Sequence, residues 1–382
     1  MEKVTRNICE NQPLFNCFLS VKDPRVAGRC TYPLINIIAI TLCALICGCD
    51  TWESIELFAR ERRRWLKRFL DLSAGIPSHQ TIARVFSLID PVKLQHCLAD
   101  WMRSITQLST RDVIAVDGKT VRGSSHRRSD KTGIHLVNAY VGRLKASLAS
   151  LKVPDKTNEI KAIPELLKLI NPSGCIVTTD AMGTQRGIAN LIRQKRGHYV
   201  LCLKDNHKRL NRKVRNLFDC AEAHHYQSMV MKEEATDDYG HSRIEERVYT
   251  VLPSMYLWRY QRQWRDLSAF IRVKTIRHLA DGTVEKESRF YMTSLPFNES
   301  ANACHAIREH WQVENGLHYR LDVGLREDAS PIYRGHAPEN LSLLRKIVLK
   351  LLDNEKSYCA GVASKRRKAA LSTRYLRKVV GF

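Results

Sequence analysis

The chain has 382 residues, 44% of them hydrophobic and 26% charged, a composition typical of a soluble globular protein with two or three domains. Lysine and arginine number 62 against 39 acidic residues, so the formal net charge is +23. This imbalance indicates a polyanionic partner, most simply nucleic acid. No stretch is long enough to span a membrane and no signal peptide is recognisable, so we expect a cytoplasmic protein.

The first predicted element is a helix in the most apolar run, residues 33–48. At about 16 residues the run is shorter than the roughly 20 that a membrane-spanning helix needs, and it contains Asn36, so we expect a buried helix. Three of the 12 cysteines, Cys43, Cys47 and Cys49, lie in or beside it, but no Cys-x-x-Cys pair occurs anywhere. The cysteines are therefore expected to be free thiols in a reducing compartment and not zinc ligands.

Residues 1–108 are predicted to form a helical, DNA-binding domain. A helix capped by Thr51 runs into the basic stretch 60–68, whose cations fit phosphate contacts. A later helix begins at a Ser78 cap and carries apolar residues at helical spacing. This helix is either a DNA-recognition helix or one member of a small helix bundle.

From Arg111 the pattern changes to strands and helices. Three apolar strands, a helix, a strand, a helix and a strand follow one another, which is the order of a ribonuclease-H-like mixed α/β sheet. The segment about 222–296 interrupts this order with three predicted strands, and a long helix begins near Asn298 or Ser300. Residues 109–355 are therefore predicted to be one ribonuclease-H-like domain with a β-strand insertion.

The last segment, residues 356–382, is predicted to be a basic tail. From Ser364 onwards it has seven cations and no acid. Such a run fits contacts with DNA phosphates, although many such runs are only solvated surface. The four cations expected to contact DNA are Lys365, Arg366, Arg367 and Lys368.

Two aspartates, Asp117 and Asp180, have the same context. Each ends a predicted apolar strand and is followed by a small residue. Ligands bind at strand ends in open α/β sheets, and if these two strands are neighbours their carboxylates converge. Converged carboxylates repel unless they hold a cation, and hard oxygen ligands suit Mg²⁺ or Mn²⁺. The alternative is that each aspartate only begins a turn.

A third carboxylate is expected in residues 308–328, where acids are concentrated in a basic chain. At about 100° per residue, Glu314 lies about 20° from the direction of Ile307, and Trp311 lies about 40° on the other side. Glu314 is therefore predicted to face inward, where a carboxylate needs a partner or a metal. Glu309, at about 200°, is predicted to face water. The rivals of Glu314 are Asp205, Asp322, Glu327 and Asp328.

The motifs AVDGKTVRGS, TTDAMGTQ and HWQVENGLHYRLDVGLRED occur in this order. They resemble the three signature blocks of bacterial insertion-sequence transposases of the H-repeat-associated type, and the resemblance covers about residues 14–350. It implies an Asp-Asp-Glu triad on a ribonuclease-H-like fold, with an insertion before the glutamate helix. Matched by position, the triad is Asp117, Asp180 and Glu314.

The resemblance further implies that the triad binds two Mg²⁺ or Mn²⁺ ions, cleaves DNA at transposon ends and joins the freed 3′-OH to target DNA. We expect a homodimer or higher assembly on DNA. Two alternatives stay open, a metal-dependent nuclease without strand joining and a catalytically silent DNA-binding remnant. For the two histidines four residues before and after Glu314, three roles stay open: metal ligands, phosphate contacts or orienting groups. The residues near the triad that are expected to contact DNA are Lys119, Arg122, Lys204, Asn206, Arg308, His310, His318 and Arg320.

Overall fold

The computed structural model describes residues 13–126, 132–153, 159–240, 243–279 and 281–381. The helices are α1 (Pro13–Leu19), α2 (Leu34–Ile46), α3 (Trp52–Glu61), α4 (Arg63–Leu66), α5 (His79–Leu88), α6 (Pro91–Ile105), α7 (Glu159–Leu169), α8 (Arg186–Gln194), α9 (Lys208–Ala223), α10 (Trp258–Gln261), α11 (Ser300–His310), α12 (Ala337–Asn354), α13 (Val362–Leu371) and α14 (Thr373–Val380). The strands are β1 (Val113–Val121), β2 (Ile134–Val141), β3 (Ala146–Val153), β4 (Ile176–Thr179), β5 (His198–Leu203), β6 (Lys232–Gly240), β7 (Arg243–Pro253), β8 (Ala269–His278) and β9 (Val284–Thr293). Two π-helical turns, Val313–His318 and Arg320–Gly324, follow α11.

The N-terminal region is helical, as predicted, and capping side chains begin α3, α5 and α6. The Thr51 side chain accepts a hydrogen bond from the Ser54 backbone N–H, and the Ser54 hydroxyl accepts one from the Thr51 N–H, which is a capping box. The Ser78 hydroxyl accepts from the Thr81 N–H at 3.3 Å. Every residue of α2 is buried, which confirms the predicted buried helix. Within the described ranges, no helix is long and apolar enough to cross a membrane.

The nine strands of the described residues form one sheet in the order β3-β2-β1-β4-β5-β9-β8-β7-β6. β4 pairs parallel with β1 and with β5, while β2 and β3 are added antiparallel beside β1. The first five strands therefore have the order and directions of a ribonuclease-H-like sheet, and the predicted fold class is confirmed.

The β insertion extends this sheet and does not form a separate one. β9 pairs antiparallel with β5, and β8, β7 and β6 follow antiparallel in turn. Three of these four strands match the sequence prediction. β6 was not predicted because its sequence, KEEATDDYG, is polar. A charged strand suits the open edge of a sheet, where it discourages pairing with another chain.

Helices cover both faces of the sheet. Ile176 of β4 packs in the apolar cluster that contains Ile307 of α11, whereas the next residue, Val177, packs in the cluster that contains Val214 of α9. Because successive strand residues point to opposite faces, α11 and α9 lie on opposite faces of the sheet. α9 follows the carboxyl end of β5, and the last residue of α11, His310, reaches Thr178 near the carboxyl end of β4, which is the edge of the sheet where ligands bind in this class of fold.

The segment predicted as a basic tail instead folds into α13 and α14, which pack against α12 and α2. Lys365 is buried and donates hydrogen bonds to two backbone carbonyls at the carboxyl end of α12, at 2.6 and 2.7 Å. The Lys368 ammonium lies 3.9 Å from the centre of the Tyr358 ring, and Arg367 is exposed. Lys365 is therefore not available to a DNA phosphate.

Arg366 joins three segments of the chain. Its guanidinium donates to the Leu45 carbonyl of α2 at 3.0 Å, to the Gly324 carbonyl at 2.8 Å and to the Asp50 carboxylate at 2.5 Å. The residue is only 5% exposed. The prediction that Arg366 contacts DNA is therefore wrong, because a buried guanidinium needs these internal partners and cannot reach a phosphate.

Candidate active site

The register of two parallel strands brings Asp117 and Asp180 side by side. Val116 of β1 pairs with Thr179, the last residue of β4, so the next residue on each chain is an aspartate. β1 continues to Val121 because it pairs with β2. Asp117 therefore lies within β1 and not at its end, at the point where the neighbouring strand stops.

Burial acts on both carboxyl groups. It raises the pKa of Asp117 to about 6, and it raises the pKa of Asp180 above its ordinary value. The negative charge of the buried Glu159 carboxylate adds to both shifts, and that of Asp180 adds to the shift at Asp117. Acidic groups whose negative charges repel one another in this way favour a bound cation, because the cation offsets the repulsion.

The third predicted carboxylate, Glu314, reaches the same cavity from the segment after α11. Asp117, Asp180 and Glu314 all line one open cavity of about 390 Å³. The Glu314 side chain is 61% exposed, so the prediction that it faces inward is wrong. The phase argument assumed α-helical turns, whereas α11 ends at His310 and a wider π-helical turn carries Glu314 to the mouth of the cavity.

His318 is buried between Glu314 and Asp117. Its Nδ1 lies 3.1 Å from Glu314 Oε2 and 3.8 Å from Asp117 Oδ2. The hydrogen bond from His318 lowers the pKa of Glu314 and keeps that carboxylate ionised. One potential ligand atom from each of the three residues lies within 4.8 Å of the other two. Carboxylate oxygens gathered in this way fit a divalent cation.

A buried chain of polar side chains sets the orientation of His318. Ser150 Oγ donates to Asn138 Oδ1 at 2.8 Å, which turns the Asn138 amide nitrogen toward His318 Nε2 at 3.5 Å. A donor facing Nε2 leaves the ring proton on Nδ1, which then donates to Glu314. The Ser150 backbone N–H donates to Gln95 Oε1 of α6 at 2.9 Å. Buried contacts thus connect the N-terminal helices to the Glu314 carboxylate.

Of three further predicted site residues, two line the cavity and the third holds a loop beside it. His310 forms a hydrogen bond of 2.8 Å with the hydroxyl of a threonine in β4. Its burial lowers the pKa of His310 to about 4, so this ring is neutral at neutral pH. Lys204 is exposed at the cavity rim. Asn206 donates to the Ala181 carbonyl and ties the turn after β5 to the loop after β4.

Lys119 is buried and not presented to DNA. Its ammonium nitrogen lies 2.7 Å from an Asp322 oxygen, 3.6 Å from a Glu327 oxygen and 3.4 Å from an Asp328 oxygen. Three rivals of Glu314 are therefore held around this lysine, and none of them lines the cavity.

The other arginines near the triad differ in exposure. Arg320 makes two hydrogen bonds to the Asp353 carboxylate, at 2.8 and 2.5 Å, and so joins its π-helical turn to α12. Arg122 is 86% exposed, and Arg308 is also exposed. Only the latter two lie where the expected contact with DNA can form. The exposed Asp205 lies in the turn after β5 and does not line the cavity.

Two contributors to the site were missed by sequence reasoning. Glu159 is hydrogen-bonded to His135 of β2 behind the aspartates, and Arg289 of β9 lines the cavity and lies 5.0 Å from the Trp311 ring centre. No motif marks either residue, since Glu159 resembles any acid in a first helical turn and Arg289 resembles any charge on an alternating strand. The β insertion thus contributes a positively charged side chain, Arg289, to the cavity wall.

Comparison with known proteins identifies two families along the chain. Residues 108–351 match the family described as "Transposase DDE domain", and residues 15–102 match the one described as "DDE_Tnp_1-associated". "Putative transposase YncI" of Escherichia coli O157:H7 is 35% identical and covers 97% of this chain and 94% of its own. "H repeat-associated putative transposase YhhI" of Escherichia coli strain K12 is 36% identical and covers 94% of this chain and 95% of its own.

Among solved structures, the piggyBac transposase synaptic complex with hairpin DNA is similar, at 11% identity and a TM-score of 0.42. It covers 97% of this chain and 78% of its own. Such weak agreement supports no conclusion about function. The first family match, by contrast, covers more than half of the chain, and the two relatives match over nearly their whole length. The resemblance seen in the motifs is confirmed, and the chain belongs to the family of transposases with a DDE domain.

Proposed function

We propose that this protein is a DNA transposase that cleaves DNA at the ends of a transposable element and joins the freed ends to target DNA. The observation that carries the proposal is the convergence of Asp117, Asp180 and Glu314 on one cavity in a chain with a net charge of +23. Two element ends must be cut and joined together, so we also propose a homodimer or higher assembly on DNA.

The donor set of the cavity fits a divalent cation. The groups are carboxylates, they repel one another, and burial raises the pKa of both aspartates. Asp117, Asp180 and Glu314 would hold Mg²⁺ or Mn²⁺, with two ions as the family resemblance implies. Bound there, such cations activate water and stabilise the charge on the leaving oxygen.

The other residues of the cavity orient the triad and provide charge. His318, with its proton on Nδ1, donates to Glu314 and holds the carboxylate near Asp117. Lys204 and Arg289 line the cavity and provide positive charge for a DNA phosphate. The neutral ring of His310 adds no further charge beside the carboxylates.

The proposed reaction has two balanced steps. A water oxygen attacks the phosphorus in line, the bond from phosphorus to the 3′ oxygen breaks, and the 3′ oxygen takes up a proton. The new 3′-OH then attacks a phosphorus of the target strand, so that one phosphodiester bond forms as another breaks. Neither step requires a covalent intermediate with the protein.

The test is an assay with labelled DNA taken from the two flanks of the gene, where a transposable element has its ends, incubated with Mg²⁺ and a target plasmid. Joined products are the expected result. Cleaved but unjoined DNA would assign the protein as a nuclease, and DNA that is shifted in a gel but intact would assign it as a DNA-binding remnant. Each of the three outcomes is visible in the same gel.

The same assay tests the third carboxylate. Glu314→Gln keeps the shape of the side chain but removes its charge, and we expect cleavage to fall by roughly a thousandfold, which corresponds to several kcal/mol of transition-state stabilisation. The matched control is Glu309→Gln, because Glu309 does not line the cavity. Near-normal cleavage by Glu314→Gln, with a normal thermal melt, would remove Glu314 from the triad.

A further inference from the structure

We propose that DNA extending from the active site runs along a basic face on α9 and the segment 254–265, and that this face provides the main phosphate contacts. The inference rests on the proposed function and specifies which surface holds the substrate. The cations that form the basic face are Lys208, Arg209, Arg212, Lys213, Arg215, Arg259, Arg262 and Arg265, and all of them are exposed.

The sequence of α9 separates its charges from its apolar residues. Leu210, Val214 and Phe218 recur at helical spacing and are buried against the sheet. Five cations lie between positions 208 and 215, where the only other polar residue is the buried Asn211, and the first acid of the helix comes only at Asp219. One side of α9 therefore anchors the helix while the other presents a row of positive charge.

The charge of the basic face is not neutralised by the protein. Among the residues that the structure describes, none of its eight cations forms an ion pair with an acidic side chain. The C-terminal cations differ, because Lys365 and Arg366 are buried and bound to backbone carbonyls. Eight like charges without acidic partners repel one another, and a polyanion along them relieves that repulsion.

Trp258 organises two of these arginines. The Arg259 guanidinium lies 5.4 Å and the Arg262 guanidinium 5.1 Å from the centre of its ring, and the tryptophan residue is 52% exposed. Stacking of this kind limits the freedom of long side chains, so less entropy is lost when they contact phosphates. The segment 254–265 contains no acid.

The basic face adjoins the active-site cavity. Lys204 lines the cavity beside Asp180, and a single turn leads from it to the start of α9. His207 of that turn packs edge-on against Trp264, with ring centres 5.4 Å apart, which fixes the segment 254–265 beside α9. A strand of DNA whose phosphate lies at the carboxylates therefore meets this row of cations next.

The experiment measures binding separately from cleavage. Full-length protein is titrated into a short fluorescein-labelled DNA duplex of arbitrary sequence, without divalent metal, over a series of salt concentrations. We expect a lower salt dependence in the variant in which Gln replaces Lys208, Arg209, Arg212 and Lys213. The slope of the logarithm of the association constant against the logarithm of the salt concentration should become smaller in magnitude by roughly 3 to 4, because each lost phosphate contact contributes about 0.9. The charge-matched control replaces the exposed Lys152, Lys161, Arg196 and Lys286 by Gln, because none of these residues is expected to contact DNA.

Two results would overturn the inference: a wild-type slope in the α9 variant, or an equal loss in the control, which would show binding through overall charge. A third variant, Trp258→Ala, leaves the net charge unchanged and is expected to weaken binding several-fold with little change in slope. If the basic face is correct but the proposed function is wrong, binding follows these expectations while the Mg²⁺ assay yields no cleaved DNA.

Discussion

The proton on His318 Nδ1 links the buried polar side chains of the protein core to the Glu314 carboxylate. The Nε2 of His318 faces the Asn138 amide nitrogen, so its Nδ1 carries the proton that Glu314 accepts. In this tautomer Nδ1 has no lone pair for a metal. Of the roles that the sequence left open for this residue, the geometry therefore favours orientation of Glu314 over metal ligation.

Two substitutions of His318 distinguish the role of its Nδ1–H donor from the role of the whole imidazole ring. The asparagine amide nitrogen can take the position of Nδ1, whereas the glutamine amide nitrogen takes that of Nε2. We expect His318→Asn to bind Mn²⁺ within several-fold of the wild type and His318→Gln to bind roughly 10- to 100-fold more weakly, measured by electron paramagnetic resonance titration. Equal losses in the two variants would mean that the ring itself is needed and not its Nδ1 donor.

At the level of elements, predictions from the sequence succeeded where one local rule decided the outcome. Thr51 and Ser78 cap their helices because a side-chain oxygen meets a free backbone N–H within one turn. The order of the strands β1 to β5 followed from the apolar runs in the sequence.

The failures have a shared cause, which is contact between distant parts of the chain. The burial of Lys365 depends on carbonyls at the end of α12, and that of Lys119 depends on acids more than 200 residues away. The exposure of Glu314 depends on a π-helical turn that no periodicity of 3.6 residues describes. Neither composition nor spacing carries this information.

Two adjacent arginines in α13 test whether this helix is structural. Arg366→Met leaves the Asp50 carboxylate and two carbonyls without their donor, and we expect a loss of about 3 kcal/mol or more in the free energy of unfolding. Arg367→Met, at an exposed position, should stay within about 0.5 kcal/mol of the wild type. Urea denaturation followed by circular dichroism gives both values. Similar stability in the two variants, with equal losses of DNA affinity, would instead support a DNA-binding role for both arginines.

At the scale of the whole molecule, the buried Asp117 carboxyl group lowers the free energy of unfolding when it is ionised. The pKa of Asp117 is raised from 3.8 to about 6 in the folded protein, so folding favours the protonated carboxyl group. As the pH rises from about 4 to above 6, the metal-free protein therefore loses stability, by at most ~3 kcal/mol from this group. A bound divalent cation removes the penalty by favouring the ionised form.

This cost gives a prediction for Asp117→Asn, which has no charge to bury. Without metal, the variant should melt at a higher temperature than the wild type at pH 8, and the difference should shrink as the pH falls toward 4. Addition of Mg²⁺ should raise the melting temperature of the wild type at pH 8 but not that of the variant. Differential scanning fluorimetry measures both effects. A variant that melts no higher than the wild type at pH 8 without metal would contradict the assignment.

The continuity of the nine-stranded sheet limits how far the protein can be trimmed. β9 fills the hydrogen-bonding edge of β5, and it carries Arg289 and Tyr291 into the cavity wall. Deletion of residues 232–293 would therefore open one side of the site and leave a buried, apolar strand with an unpaired edge, which is a template for aggregation. We therefore expect a shortened version of the protein to keep a complete cavity only if it retains the insertion, and shortening is better tolerated at β6, the outermost and most charged strand.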